Sequence, residues 1–260
     1  MNATSSRCRN LIVVAGHAPF RAEVEIVPEH PEKDDAWVLQ PFQRGEPPLY
    51  IEHIRHGVSL LAADPAALLI FSGGYTRKEA GLRWSEAETY AAIARHFKWW
   101  TANENASRQD VAPRVATEDF SRDSFENLLF SVCRFQQAVG QYPQTVTVVS
   151  WTFKQARFDL HRASIRFPPA RFRFQGSNQP ITLETALHGE AVTFREFVEN
   201  KYGSSGKLVQ KRASRNPFNR QHDFRSCPGL ENFFDFIENP ENGAKDFPER
   251  LPWESGVNTP

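Results

Sequence analysis

Aliphatic and β-branched residues gather in three short runs, 11–17 (Leu-Ile-Val-Val-Ala-Gly-His), 68–74 (Leu-Leu-Ile-Phe-Ser-Gly-Gly) and 146–151 (Val-Thr-Val-Val-Ser-Trp), each ending on small, polar or aromatic residues. Unbroken apolar runs of this length predict strands covered on both faces, as in a parallel sheet. Between them the period becomes helical. Residues 49–63 put Ile51, Ile54, Val58 and Leu61 on one face, and Asp64-Pro65 stops that helix before a strand at 66–71. Ser85 and Glu88 form a capping box that opens a helix running towards Trp99. Residues 114–117 read as a short third strand, and Asp123 with Glu126 as a second capping box, opening a helix over 125–139. A strand at 146–150 precedes a helix at 152–164, residues 170–175 alternate like an outer strand with one wet face, and a last helix covers 191–201, with a start a little earlier left open. Strand following helix throughout predicts an α/β fold: Rossmann-like, doubly wound, a mainly parallel sheet of about five strands with helices on both faces.

Two segments interrupt this order. Residues 18–48, rich in Pro, Glu and Asp, are long for a βα connection and read as a lid, a specificity element or decoration. A polar stretch at 101–110 reads as loop. The division expected is a Rossmann-like domain over 1–203 and a basic extension over 204–260, with a short docking helix at 230–237. Between 207 and 225 the extension holds Lys207, Lys211, Arg212, Arg215, Arg220 and Arg225 against Asp223 alone. Aromatic interleaving of the kind that binds single-stranded nucleic acid is sparse there, which favours a solvated or domain-wrapping arm over an RNA site.

The 31 basic and 31 acidic residues cancel, so no overall field draws the chain to nucleic acid or an anionic membrane. Cys8, Cys133 and Cys227 are far apart, with no C-x-x-C pair, so neither a zinc site nor a disulfide framework is suggested. The N-terminal sequence lacks a signal-type apolar core. A cytoplasmic protein without a membrane span is expected.

Open parallel sheets bind ligands outside the carboxyl ends of their strands, so the three run endings are expected to share one crevice. Gly16, Gly73 and Gly74 would leave backbone N–H groups open to an anion, and the helix starts at Ser85 and Ser124 would aim positive dipole ends at it. Each glycine could equally serve only a tight turn. Glu86 and Glu118 are candidate acid and base; dipole stabilisation is the other role open to Glu86, and an ion pair with Arg157 the other role open to Glu118. Lys154 and Arg157 lie three apart on one helix face, Arg157 as an anion fork and Lys154 as a charge or, desolvated, a base. Asn127 is a poor helix former at an interior position, which suggests a hydrogen-bonding duty. His17 directly follows a strand and is the histidine nominated for the site. His53 and His56, three apart on a helix, read as a solvated face. No G-x-S-x-G elbow, P-loop or G-x-G-x-x-G fingerprint occurs.

Four blocks, Ser72-Gly73-Gly74, Ser85-Glu86-Ala87, Glu118 with Ser121-Arg122-Asp123-Ser124-Phe125-Glu126-Asn127, and Val149-Ser150 followed by Lys154 and Arg157, resemble the YdcF/ElyC/SanA family, a domain of unknown function with a Rossmann-like fold. The resemblance spans about residues 11–174. Lys154 stands where the family usually has His, and Asp123-Ser124 where it usually has Asn-Thr. The resemblance implies a small molecule bound at the strand ends; with Gly16 and His17, nominated from their place after the first strand, the ligand-binding candidates are Ser72, Gly73, Gly74, Ser85, Ser121, Ser124, Asn127, Ser150 and Arg157. S-adenosylmethionine is associated with one branch of the family. The functions left open are an enzyme acting on an anionic or nucleoside-type ligand, a non-catalytic sensor using the same crevice, and an RNA-associated protein acting through the tail.

Overall fold

The computed structural model describes residues 7–99 and 111–254; the loop expected at 101–110 lies outside them. Five strands, β1 (Asn10–Ala15), β2 (Ala67–Ser72), β3 (Val115–Glu118), β4 (Thr145–Ser150) and β5 (Phe172–Gly176), form one sheet in the order β3-β2-β1-β4-β5. Every pairing is parallel. The three apolar runs are its central strands, and from residue 11 to 15 β1 is buried throughout, which is why it carries no alternation.

Seven helices are described: α1 (Pro47–Ala63), α2 (Glu86–His96), α3 (Ser124–Val139), α4 (Gln155–Ser164), α5 (Leu183–Glu199), α6 (Gly206–Ser214) and α7 (Glu231–Glu238). None is long and apolar enough to cross a membrane. α1 and α2 cover one face of the sheet through Ile54, Val58, Tyr90 and Ile93. The approach of α1 is close: a Cβ on Gly57 would fall 2.3 Å from Val14 Cγ2. α3 and α4 cover the other face through Phe125, Leu129, Val132 and Phe158.

The capping boxes came out differently. Ser85 and Glu88 exchange both bonds. Asp123 accepts from the Glu126 N–H at 3.0 Å, but the Glu126 carboxylate reaches past the cap to the N–H of Arg122 at 2.8 Å, so the second box is half formed. α2 ends at His96, short of Trp99, and α5 starts at Leu183, ahead of residue 191.

Residues beyond 203 do not lie loose. Phe224, Cys227, Leu230, Phe233, Phe234, Phe247 and Trp253 are buried in the same core layer as α3, and Cys227 Sγ meets the Cys133 carbonyl at 3.7 Å. The 18–48 insertion is tied into the opposite layer, where Trp37 is fully buried against Phe20 and Tyr50.

Candidate functional site

Strand order reverses between β1, whose crossover runs to β2, and β4 on its other side. At such a switch point two adjacent connections leave in opposite directions and open a crevice. A cavity of about 440 Å³ occupies it. Ala15, Gly16 and His17 from the end of β1 and Ser150 and Trp151 from the end of β4 form its floor. Of the residues nominated from sequence, the cavity wall holds Gly16, His17, Glu86, Ser121, Ser124, Asn127, Ser150, Lys154 and Arg157. Ser72, Gly73, Gly74, Ser85 and Glu118 are not on it.

The open glycine amides expected at the strand ends are not there. Gly16 N–H donates to the Ser72 carbonyl at 2.7 Å, Gly73 to Glu118 at 3.0 Å and Gly74 to Ser121 at 2.8 Å. Neighbouring strand ends satisfy each amide, as buried backbone groups require. The start of α2 is closed in the same way, because Glu86 and Ala87 donate to the carbonyls of Gly74 and Gly73, and Ser85 Oγ donates to Asp119 at 2.6 Å. Gly16 and Gly73 serve another purpose: they leave room for Glu86, whose Cβ would lie 2.7 Å and 2.5 Å from a Cβ placed on either. The Glu86 carboxylate reaches the cavity and accepts the Thr76 hydroxyl at 2.5 Å.

Glu118 is sealed beneath the wall. It accepts Ser72 Oγ at 2.6 Å and the N–H groups of Phe120 and Ser121 at 2.7 and 2.9 Å. Burial pushes its pKa up to about 7, against those hydrogen bonds. It makes no ion pair with Arg157, which binds Glu190 instead at 2.7 Å. Asn127 has the hydrogen-bonding duty its position suggested, donating to Ser72 and Ser121. These four side chains clasp the end of β2 to α3, which makes Glu118 a positioning residue here.

Besides Glu86 and the ion-paired Asp123 and Glu190, the cavity is lined by the carboxylate of Glu46, at the entry to α1, 4% exposed and accepting from Tyr50 at 2.7 Å. Burial raises its pKa. Its sequence signal was an acid directly before Pro47-Pro48, four residues ahead of a tyrosine. His53 is no solvated residue either: it is fully buried, with Nε2 2.8 Å from the Ser177 carbonyl. His17 lies nearly parallel to Trp151, with ring centres 5.4 Å apart, and Phe153 lies nearly parallel to the same indole at 6.2 Å. His17 Nε2 and Ser150 Oγ are buried without a hydrogen-bond partner. Burial and the charge of Lys154 hold His17 well below its usual pKa, so it is neutral near pH 7.

Cations dominate the remaining wall. Arg157 is held by Glu190 and by Ser124 Oγ at 3.1 Å, and Arg122 by Glu126 at 2.9 Å through Nε. Lys154, Lys211 and Arg215 line the cavity without an ion pair among the described residues. Burial, with Arg157 nearby, pushes Lys154 down to about 7; burial and Arg215 push Lys211 down to about 8. Lys211 and Arg215 belong to the tail expected to be an arm, and their place here was not legible from local sequence.

One comparison with known proteins gives a relative: a Saccharomyces cerevisiae protein described as "Uncharacterized protein YOR238W" is 28% identical, over 84% of this chain and 88% of its own length. No protein-family profile and no solved structure matches the chain.

Proposed function

We propose that this protein is an enzyme acting on a phosphorylated small molecule, with Glu86 as acid–base residue and Lys154, Arg157, Lys211 and Arg215 receiving the anionic group. One observation carries the reading. A single cavity at the switch point holds three cations without ion pairs (Lys154, Lys211, Arg215) and two carboxylates bonded to hydroxyls rather than cations (Glu86, Glu46). Charges of both signs left without ion pairs in one low-dielectric hollow suit a ligand that brings both an anion and a group exchanging a proton. A carboxylate beside a held phosphoryl group can take the proton of an attacking water or hydroxyl.

The same charges favour a nucleotide or sugar phosphate over S-adenosylmethionine, whose sulfonium and ammonium groups would face three further cations. The His17–Trp151–Phe153 stack offers an aromatic wall for a base or ring. Three tail cations are engaged within the molecule: Arg212 with Asp123, Arg220 over Tyr75 and Phe120, and Arg225 with Asp235 and Glu238. That engagement weighs against RNA binding through the tail.

A thermal-shift screen of nucleotides, sugar phosphates and S-adenosylmethionine tests the ligand class, since a ligand at ~100 times its Kd stabilises by roughly 2.7 kcal/mol. Turnover of the ligand found should vanish in Glu86→Gln while its affinity stays. A phosphorylated ligand bound with no turnover in the wild type would make the cavity a sensor, and a shift by S-adenosylmethionine alone would overturn the phosphate assignment.

A further inference from the structure

We infer that α6 and the residue that caps it, beyond the Rossmann-like core, are built as the phosphoryl-gripping part of the cavity, with Lys211 and Arg215 taking a dianionic phosphate together with Lys154; this rests on the ligand-site reading above. The helix is docked through Arg212. Its Nε lies 2.6 Å from Asp123 and 3.3 Å from Glu126, and its Nη1 donates to the Gly203 carbonyl at 3.1 Å. Gly203 stands at φ +68°, and a Cβ there would lie 2.6 Å from Arg212 Nη2. This anchor fixes α6 against the N-terminus of α3, beside the cavity.

Lys211 stands in the last turn of α6 and Arg215 caps it, four residues on, its N–H donating to the Lys211 carbonyl at 3.1 Å. Both line the cavity, and Arg215 is steadied by donating Nη1 to the Arg122 carbonyl at 2.8 Å. Like charges at this spacing destabilise a helix end, and Lys154 adds a third in the same cavity. No carboxylate of the described residues pairs with any of the three, although acidic side chains are plentiful nearby. An independent observation points the same way: Ser150 Oγ, wholly buried on the cavity floor, has no hydrogen-bond partner within the protein. A phosphate dianion offers the charge and the acceptor oxygens these groups lack, and Arg215 can present a planar fork to two of those oxygens. A carboxylate monoanion answers fewer of them.

Calorimetric titration of the full chain with inorganic phosphate, and with acetate as the monoanion, tests this. Phosphate should bind and acetate should bind far more weakly. Lys211→Gln and Arg215→Gln should each weaken phosphate by about tenfold or more, the scale of one charged hydrogen bond. Lys207→Gln, at an exposed position in the first turn of α6 and off the cavity wall, should leave it unchanged. Melting temperatures establish that the variants are folded, and Arg215→Lys serves if Arg215→Gln is not. Phosphate affinity kept in both α6 variants but lost in Lys154→Gln would overturn the role of α6 while leaving the ligand site standing. No phosphate binding by the wild type would overturn both, and equal binding of acetate would overturn the dianion assignment.

Discussion

Glu86 lies across Gly73 so closely that a Cβ on the glycine would sit 2.5 Å from the Cβ of Glu86 and 2.8 Å from its Oε2. The glycine at the end of β2 therefore makes room for a cavity carboxylate rather than presenting its amide. Gly73→Ala should cost about 1–3 kcal/mol, as overpacking does, and should displace the carboxylate. Urea unfolding in wild-type and Glu86→Gly backgrounds checks the cause. The penalty should shrink when Glu86 has no side chain; an equal penalty in both would put the clash elsewhere.

Glu118, raised to about 7 by burial, makes stability fall as pH rises. The unfolded chain releases this proton near its ordinary value of 4.5, while the folded chain keeps it to about 7. The contribution is full below 4.5 and lost as pH climbs through 7. Glu118→Gln mimics the protonated acid, since its amide oxygen can still accept from Phe120 and Ser121. Denaturation midpoints from pH 5 to 8 should fall less steeply in the variant. Parallel slopes would show that Glu118 titrates normally.

His53 carries the opposite sign. Burial holds it at about 4 against an ordinary 6.5, so the unfolded chain takes up its proton first. This part of the stability is present above 6.5 and lost as pH falls towards 4. His53→Phe should lose about 0.5–1.5 kcal/mol at pH 7, with the Ser177 bond, and should show a shallower acid limb. An unchanged acid limb would mean that the imidazole is protonated freely in the fold.

What was legible in the sequence was local. The runs at 11–17, 68–74 and 146–151 are self-contained strands, and the Ser85–Glu88 box closes within one helical turn. Each misplacement turned on a partner distant in the chain. The amide of Gly16 meets Ser72, His53 meets Ser177, and Arg157 meets Glu190, 33 residues further along the chain. Lys211 and Arg215 looked like part of a basic run because nothing nearby in sequence shows that Asp123 captures Arg212 between them. The pairing of Glu86 with Glu46 rather than Glu118 likewise depends on how deeply each strand end is covered.

That capture can be tested without disturbing the helix cap. Asn is as good an N-cap as Asp, so Asp123→Asn keeps the start of α3 and removes only the charge beneath Arg212. A buried cation losing its partner costs about 3–5 kcal/mol, and Glu126, 3.3 Å from Arg212 Nε, should hold the loss near the lower figure. α6 should loosen selectively, with faster amide exchange at 206–214 than over β1 or β4. Uniform exchange across these elements would show that Arg212 does not secure the helix.

Lys154 sets the final expectation, because burial and the nearby Arg157 push it down to about 7, where small changes of pH alter its charge. An anion beside it stabilises the ammonium form, so binding phosphate draws a proton onto Lys154 whenever the amine is neutral beforehand. Phosphate affinity should be flat below pH 6.5, once the phosphate's own ionisation is allowed for, and should decline as pH rises through 7. Lys211, at about 8, extends the decline. Titrations at pH 7.5 in buffers of different ionisation enthalpy should report net proton uptake by the wild type. Arg at residue 154 stays charged at every pH used, so Lys154→Arg should bind with less uptake and with the first part of the decline removed. An identical pH profile in this variant would mean that Lys154 is fully charged before the ligand arrives, and that the mutual repulsion of the cavity cations is weaker than their placement implies.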